Sequence, residues 1–135
     1  MGAVIVSVQH TGSRFVADRL GIDPAHIIHT YTDLSQVLSQ LEGRGIISPL
    51  RHPKDVWESW CKRGRADYAT FILSFFTLAA LASIRDVDFI AVDKQEDSRI
   101  KDWSKVSHDE RDTGCVDVDL SPLRMIPFVR DNYDN

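Results

Sequence analysis

Apolar and polar positions along the first 94 residues follow two periods, and each change of period marks a new element. Short β-branched or apolar runs alternate with stretches whose apolar residues recur three and four positions apart, as at Leu34, Val37, Leu38 and Leu41. The runs predict strands over residues 3–8, 25–31, 46–50 and 87–92. The helical spacing predicts a first helix through Phe15 and Leu20, and further helices over residues 34–41, 53–63 and 67–84.

This order, βαβαβααβ, is typical of an α/β fold in which helices cover a parallel sheet on both faces. The sequence therefore predicts a three-layer sandwich with a central, mainly parallel sheet of four to five strands. Residues 1–135 are expected to form a single domain with its core at about 3–94 and a lid and tail at 95–135. Within that last part, residues 94–112 predict a long loop or lid, residues 115–120 an edge strand, and the chain from Asp131 a frayed end.

Composition and charge narrow the classes of function. The 135 residues carry a formal net charge of −4, which lacks the broad basic field that a nucleic-acid binder needs. The apolar stretch at residues 69–82 is too short for a bilayer span, and the N-terminus has no basic region typical of a secretory signal. We therefore expect a cytoplasmic protein with no nucleic-acid or membrane partner.

The two cysteines, Cys61 and Cys115, are isolated from each other and from any metal-ligand spacing. Such spacing predicts neither a disulfide framework nor a zinc site. We expect both to be reduced thiols and expect no metal.

The first strand–helix junction carries the residues of an anion site. Residues 9–14, with the sequence QHTGSR, place a glycine, two hydroxyls and a helix N-terminus at the carboxyl edge of the first strand. Backbone N–H groups can cradle a phosphate there, and His10, Thr11, Ser13 and Arg14 can add side-chain donors. The alternative is a tight structural turn, and the lysine of the usual ATP-binding loop is missing.

A second constellation follows the third strand. Arg51 stands at the strand tip and Ser59 in the second turn of the next helix, so a planar guanidinium and a hydroxyl can converge on one phosphate. The alternative is that Arg51 pairs with Asp55 or Glu58 while Ser59 faces solvent.

Together these two segments resemble the nucleotide-binding motifs of the sulfotransferase family. Residues 9–13 resemble the family's Pro-Lys/Arg-Ser-Gly-Thr loop, and residues 12–14 resemble the Gly-Thr-Arg of its heparan-type variant. The family's second motif, an arginine followed eight residues later by a serine, is matched by Arg51 and Ser59, with Pro53 and Asp55 between them. The resemblance covers roughly residues 3–94 and implies a P-loop-type fold in a minimal or truncated member.

The resemblance also implies a chemistry. The co-substrate would be 3′-phosphoadenosine 5′-phosphosulfate, with its phosphosulfate on residues 10–14 and its 3′-phosphate at Arg51 and Ser59. His10 stands where the family has lysine or arginine and would assist the leaving group. Tyr31 occupies the usual position of the catalytic base, so His29 is the candidate base.

Three further features bear on the interpretation. Phe15 stands near the position where the family places a ring against adenine, although core packing is the default for such a residue. Of Trp57 and Trp60, one is expected to pack on the sheet and the other to lie near the site or a partner surface. Residues 99–103 resemble, faintly, the Gly-Asp-Trp-Lys core of a donor-covering loop in larger members.

The sequence therefore favours sulfuryl transfer to a hydroxyl or amine acceptor, and two alternatives stay open. One is a non-catalytic module that reuses the fold to bind a nucleotide or a protein partner. The other is a small P-loop kinase, for which Asp93 at a strand end is the candidate Mg²⁺ carboxylate.

Overall fold

The computed structural model describes residues 2–94, 96–101, 103 and 115–133. These residues form an α/β fold with four strands and five helices. The strands are β1 (Ala3–Ser7), β2 (Ile27–His29), β3 (Gly45–Leu50) and β4 (Val87–Ala91). The helices are α1 (Ser13–Leu20), α2 (Leu34–Leu41), α3 (Pro53–Lys62), α4 (Tyr68–Ile84) and α5 (Pro127–Tyr133).

The four strands form one parallel sheet in the order β2-β1-β3-β4. Ile5 pairs with Ile27 of β2 on one side and with Ile47 of β3 on the other, and Pro49 of β3 pairs with Ile90 of β4. The predicted α/β class and the parallel sheet of four strands are confirmed. Because the chain moves outward from β1 to β2 and then crosses back to β3, the topological switch point lies between β1 and β3.

Capping side chains fix where the central helices begin. The Asp33 carboxylate accepts from the Gln36 N–H at the start of α2, and Asp67 accepts from the Thr70 N–H at the start of α4. Pro53 occupies the first position of α3, where its missing N–H costs nothing.

Alternate residues of β1 are buried in two separate hydrophobic clusters. Val4 and Val6 belong to a large cluster that contains residues of α3 and α4, and Ile5 belongs to a smaller one with Val16 and Ala17 of α1. Successive side chains of a strand point to opposite faces, so β1 contributes buried residues to one cluster on each face. This packing fixes the positions of the strands and of their carboxyl ends, where ligands of such folds bind.

Helix α4 is the most apolar element. It runs for 17 residues, and among the described helices none combines the length and hydropathy needed to cross a membrane. Its buried residues Phe71, Phe75 and Leu78 pack into the larger core cluster.

Two predicted strands are corrected by the structure. The second covers only Ile27–His29, because the Asp23 carboxylate accepts from the Ala25 N–H and starts a 3₁₀ turn over Pro24–His26. Residues 115–120 form no strand. Instead, Trp57 Nε1 donates to the Val116 carbonyl over 2.9 Å, and the Tyr68 hydroxyl donates to the Asp119 carbonyl.

The chain end from Asp131 is also ordered further than predicted. Helix α5 reaches Tyr133, whose hydroxyl donates to Asp93 Oδ1 over 2.7 Å, while Phe128 stacks on Phe89. Most of the predicted lid at 94–112 lies outside the described residues. In its described part, Ser98–Ile100 form a 3₁₀ turn and Arg99 pairs with Asp88 and Asp97.

The prediction of two reduced thiols is wrong in this structure. Cys61, buried on α3, and Cys115 form a disulfide. The two residues are 54 positions apart in the sequence. The fold brings the C-terminal segment back alongside α3, where Trp57 also contacts Val116. Nothing in the sequence around either cysteine reveals this proximity.

Candidate functional site

A cleft of about 450 Å³ opens at the carboxyl edge of the sheet, at the switch point between β1 and β3. Its lining residues are Gln9, His10, Gly12, Ser13, Arg14, Phe15, His29, Arg51, Ser59, Arg63, Arg65 and Trp103. The cleft thus brings together seven of the eight predicted site residues. Thr11 is the exception, because its hydroxyl donates to the Val8 carbonyl over 2.7 Å and closes the loop from within.

The loop after β1 is shaped by two residues with positive φ. His10 has φ 69° and Gly12 has φ 91°, a conformation that favours glycine and that histidine adopts only occasionally. A Cβ on Gly12 would lie 2.7 Å from the Trp103 ring. The glycine is therefore needed both for the turn and for the close approach of Trp103.

The N-terminus of α1 faces the cleft without a capping side chain. Gly12 is the N-cap residue, and the next three residues, Ser13, Arg14 and Phe15, all line the cleft. Uncapped first-turn N–H groups and the positive end of the helix dipole favour an anion at this place. The loop that the sequence predicts to bind an anion therefore opens onto the cleft.

The end of β3 and helix α3 form the opposite wall. Arg51 Nη1 donates to the His10 carbonyl over 3.5 Å, and its guanidinium lies 5.7 Å from the centre of a Trp103 ring. Ser59, only 6% exposed, lines the same cleft from α3. Among the described residues Arg51 forms no ion pair with Asp55 or Glu58, so its charge is available to a ligand.

Two arginines that the sequence analysis missed complete this wall. Arg63 follows Ser59 by four positions, and Arg65 comes two residues after it. Gly64, with φ 70°, turns the chain so that the Arg65 N–H donates back to the Trp60 carbonyl. The sequence contains a signal for Arg63, because it lies four positions after Ser59 and such residues share a helix face. It contains none for Arg65, because Gly64 indicates only that the helix ends there.

Four arginines, Arg14, Arg51, Arg63 and Arg65, therefore line the cleft together with no carboxylate among the described lining residues. This excess of positive charge exists on a chain whose net charge is −4. Low-dielectric walls concentrate such a field. The arrangement can hold an anion of more than one negative charge.

His10 is a neutral group in this field. Burial and the neighbouring Arg63, Arg65, His29 and Arg51 lower the pKa of His10 to about 4. Its Nε2 is buried without a hydrogen-bond partner among the described residues. At pH 7 the ring can therefore offer a hydrogen bond but not the full charge of a lysine or arginine.

His29 lines the cleft from the end of β2. Its Nδ1 is 3.5 Å from the Ser7 hydroxyl, and its ring stacks on Tyr31 at 5.8 Å between centroids. Burial is the main cause that lowers the pKa of His29; a hydrogen bond with the Ser7 backbone raises it, and the charges of Arg65 and Arg14 lower it further, so that it lies below its usual value. His29 is therefore unprotonated at neutral pH, the state that a general base requires.

Aromatic rings close the remaining sides. Phe15 and Trp103 meet edge to face at 5.3 Å, and Trp60 Nε1 donates to the Gln9 carbonyl over 2.8 Å at the start of the loop. Trp57 packs between Tyr68 and Phe71 in the core. Trp60 also packs on Phe71 at 5.3 Å, so both tryptophans of α3 belong to the large core cluster and neither lines the cleft; only Trp60 contacts the loop after β1.

No group of three or more metal-ligating side chains occurs within the part of the chain that the structure describes. No protein-family model, curated protein or solved structure matches this chain. The resemblance to sulfotransferases therefore stays a prediction that depends on the chain's own residues.

Proposed function

We propose that this chain binds 3′-phosphoadenosine 5′-phosphosulfate in the arginine-lined cleft and transfers its sulfuryl group to a hydroxyl or amine acceptor. The observation that carries the proposal is the meeting of the uncapped α1 N-terminus with Arg51 and Ser59 in one cleft. This arrangement offers two anion sites, which a nucleotide phosphorylated at both its 5′ and 3′ positions requires. The fold proposed with it is a three-layer sandwich of the P-loop type.

The proposed reaction divides the cleft into two ends. At one end, Ser13, Arg14 and the N–H groups of α1 stabilise the charge that develops on the departing 5′-phosphate. Because His10 is neutral, Arg14 supplies the positive charge that a loop lysine gives in the family. His10 adds a hydrogen bond from its ring.

At the other end, His29 takes the proton of the acceptor. Its Nδ1 faces Ser7, which leaves Nε2 for the acceptor. The acceptor oxygen or nitrogen forms a bond to sulfur in line as the bond from sulfur to the 5′-phosphate oxygen breaks. The products are the sulfated acceptor and 3′,5′-adenosine bisphosphate, and the acceptor proton resides on His29.

The alternatives make different demands on the same residues. A kinase needs a carboxylate for Mg²⁺, but Asp93 accepts from the His52 N–H over 2.7 Å and from the Tyr133 hydroxyl, which ties it to the fold. A non-catalytic module would keep the anion sites and dispense with His29.

A cytoplasmic location remains part of the proposal. In that compartment the disulfide between Cys61 and Cys115 would be kept mostly reduced.

The test is calorimetric titration with 3′,5′-adenosine bisphosphate and with adenosine 5′-phosphate, each with and without Mg²⁺. Arg51→Ala should weaken the bisphosphate by about 1.5–3 kcal/mol, because a charge-assisted contact is lost, and should barely affect the monophosphate. Ser59→Ala should act in the same direction and more mildly. Equal loss for both nucleotides would contradict the 3′-phosphate site, and a Mg²⁺ requirement would favour the kinase.

A further inference from the structure

We propose that Arg63 and Arg65 form a separate oxyanion subsite for the acceptor, so that the acceptor itself carries a negative charge beside its reactive hydroxyl or amine. This inference rests on the proposed function, because only a transfer reaction has an acceptor, and it adds the charge of that acceptor. Neither arginine belongs to the two motifs that resemble nucleotide-binding segments.

The turn after α3 holds these two side chains at the mouth of the cleft. Arg63 stands one helical turn beyond Ser59, and its N–H donates to the Ser59 and Trp60 carbonyls. Arg65 Nη1 donates to Gln9 Oε1 over 3.0 Å, which anchors it at the start of the β1 loop. Hydrogen bonds therefore fix both the backbone of the turn and one of the two guanidinium groups.

The place of Arg65 differs from that of Arg51. In the sheet order, His29 at the end of β2 and Arg51 at the end of β3 lie on opposite sides of β1. Gln9 stands at the end of β1 between them, and Arg65 reaches it. Arg65 is close enough to lower the pKa of His29, the candidate base, and also that of His10. The charge of Arg65 therefore reaches the side of the cleft where the acceptor would bind as well as the loop after β1.

Neither guanidinium is neutralised from within the protein. Among the described residues no carboxylate pairs with Arg63 or Arg65, and both side chains are exposed. Two arginines so placed can bind a carboxylate, sulfate or phosphate through parallel N–H donors. A neutral acceptor would leave this pair without a function.

The experiment uses two phenols of nearly the same size and shape, one of them negatively charged and the other neutral. Protein saturated with 3′,5′-adenosine bisphosphate is titrated with 4-hydroxyphenylacetate and with its neutral amide, 4-hydroxyphenylacetamide. The wild type should bind the carboxylate about tenfold more tightly or better. Phenyl phosphate, titrated in parallel, tells whether the subsite prefers a phosphate or a carboxylate.

The double variant Arg63→Gln/Arg65→Gln should lose this preference and keep its affinity for the bisphosphate within about threefold. The matched control, Arg85→Gln/Arg124→Gln, removes two exposed charges that do not line the cleft and should retain the preference. Arg63→Lys/Arg65→Lys keeps the charge and should retain part of it, which covers a failure of the glutamine variant to fold.

Each other result counts against the proposal. Equal binding of both phenols to the wild type, or an unchanged preference in the double variant, overturns the subsite. A loss of bisphosphate affinity as large as that of Arg51→Ala would assign the two arginines to the nucleotide. If the bisphosphate does not bind at all, the proposed function fails, and the same phenol titration on the free protein still decides whether the oxyanion subsite exists.

Discussion

At the scale of single residues, the cleft combines positive charge with the neutral imidazole of His10. The buried Nε2 of His10 has no partner among the described residues, and an unpaired buried polar atom costs free energy. An anion bound at the loop would satisfy this atom and also offset the repulsion among the arginines. The features that cost the free protein stability are therefore those that favour ligand binding.

The first residue-scale prediction concerns His10 and acid. Its pKa in the fold, about 4, lies below that of the unfolded chain, near 6.5, so the unfolded state binds the proton first. The stability that comes from this difference is present above pH 6.5 and is lost as the pH falls toward 4. His10→Asn removes the titrating group, and asparagine tolerates the positive φ of this position.

The melting temperature of the variant should therefore fall less between pH 7 and 4.5 than that of the wild type, as measured by circular dichroism. His29 shifts in the same direction and leaves a residual slope in the variant. A steeper fall in His10→Asn would contradict the pKa assigned to His10.

A second prediction separates the two reasons for Gly12. Gly12→Ala must adopt a positive φ and also push against the Trp103 ring, whereas Gly21→Ala at φ 68° meets nothing within 4 Å. Gly21→Ala should cost about 1–2 kcal/mol of unfolding free energy, and Gly12→Ala about 1–3 kcal/mol more. Urea unfolding measures both. Equal costs would mean that Trp103 does not pack on Gly12 in solution.

At the scale of elements, local sequence signals predicted the strands and helices of the parallel core. They missed the elements whose formation depends on contacts between distant residues. Asp33 and Pro53 marked helix starts because capping is local. The seven-residue α5 depends on Tyr133 reaching Asp93, and no local pattern contains that contact. The shortening of β2 came from one Asp23 hydrogen bond. The same limit hid Arg65 from the predicted site, because its place depends on the turn after α3.

The element-scale prediction concerns the disulfide that ties α3 to the C-terminal segment. Cys115→Ser opens a loop defined by a sequence separation of 54 residues, which should lower the unfolding free energy by about 4 kcal/mol through the entropy of the unfolded chain. Urea unfolding with and without dithiothreitol measures this. Reduced wild type should match the variant, which should not respond to dithiothreitol. A wild type unaffected by the reductant would show that the bond is absent in solution.

At the scale of the whole molecule, charge is distributed unevenly. A net charge of −4 coexists with four arginines in one cleft at the switch point of the sheet. Acids elsewhere on the surface repel anions, so a field that attracts an anion must come from the cleft itself. Because Arg14, Arg63 and Arg65 are exposed, this field is open to screening by salt.

The last prediction follows from that exposure. Raising NaCl from 50 to 500 mM shortens the Debye length from about 14 to about 4 Å, which screens arginines that act across the cleft and spares direct contacts. Affinity for 3′,5′-adenosine bisphosphate should therefore fall about tenfold over this range, and affinity for uncharged adenosine by less than about twofold. Calorimetry at constant pH measures both ligands. Arg63→Gln/Arg65→Gln should reduce the salt dependence by lowering the affinity at 50 mM about threefold and leaving the affinity at 500 mM close to that of the wild type, since those two arginines contribute field rather than contact to the nucleotide. A salt dependence that is the same for adenosine and for the bisphosphate would mean that the arginine cluster does not act on the nucleotide's phosphates.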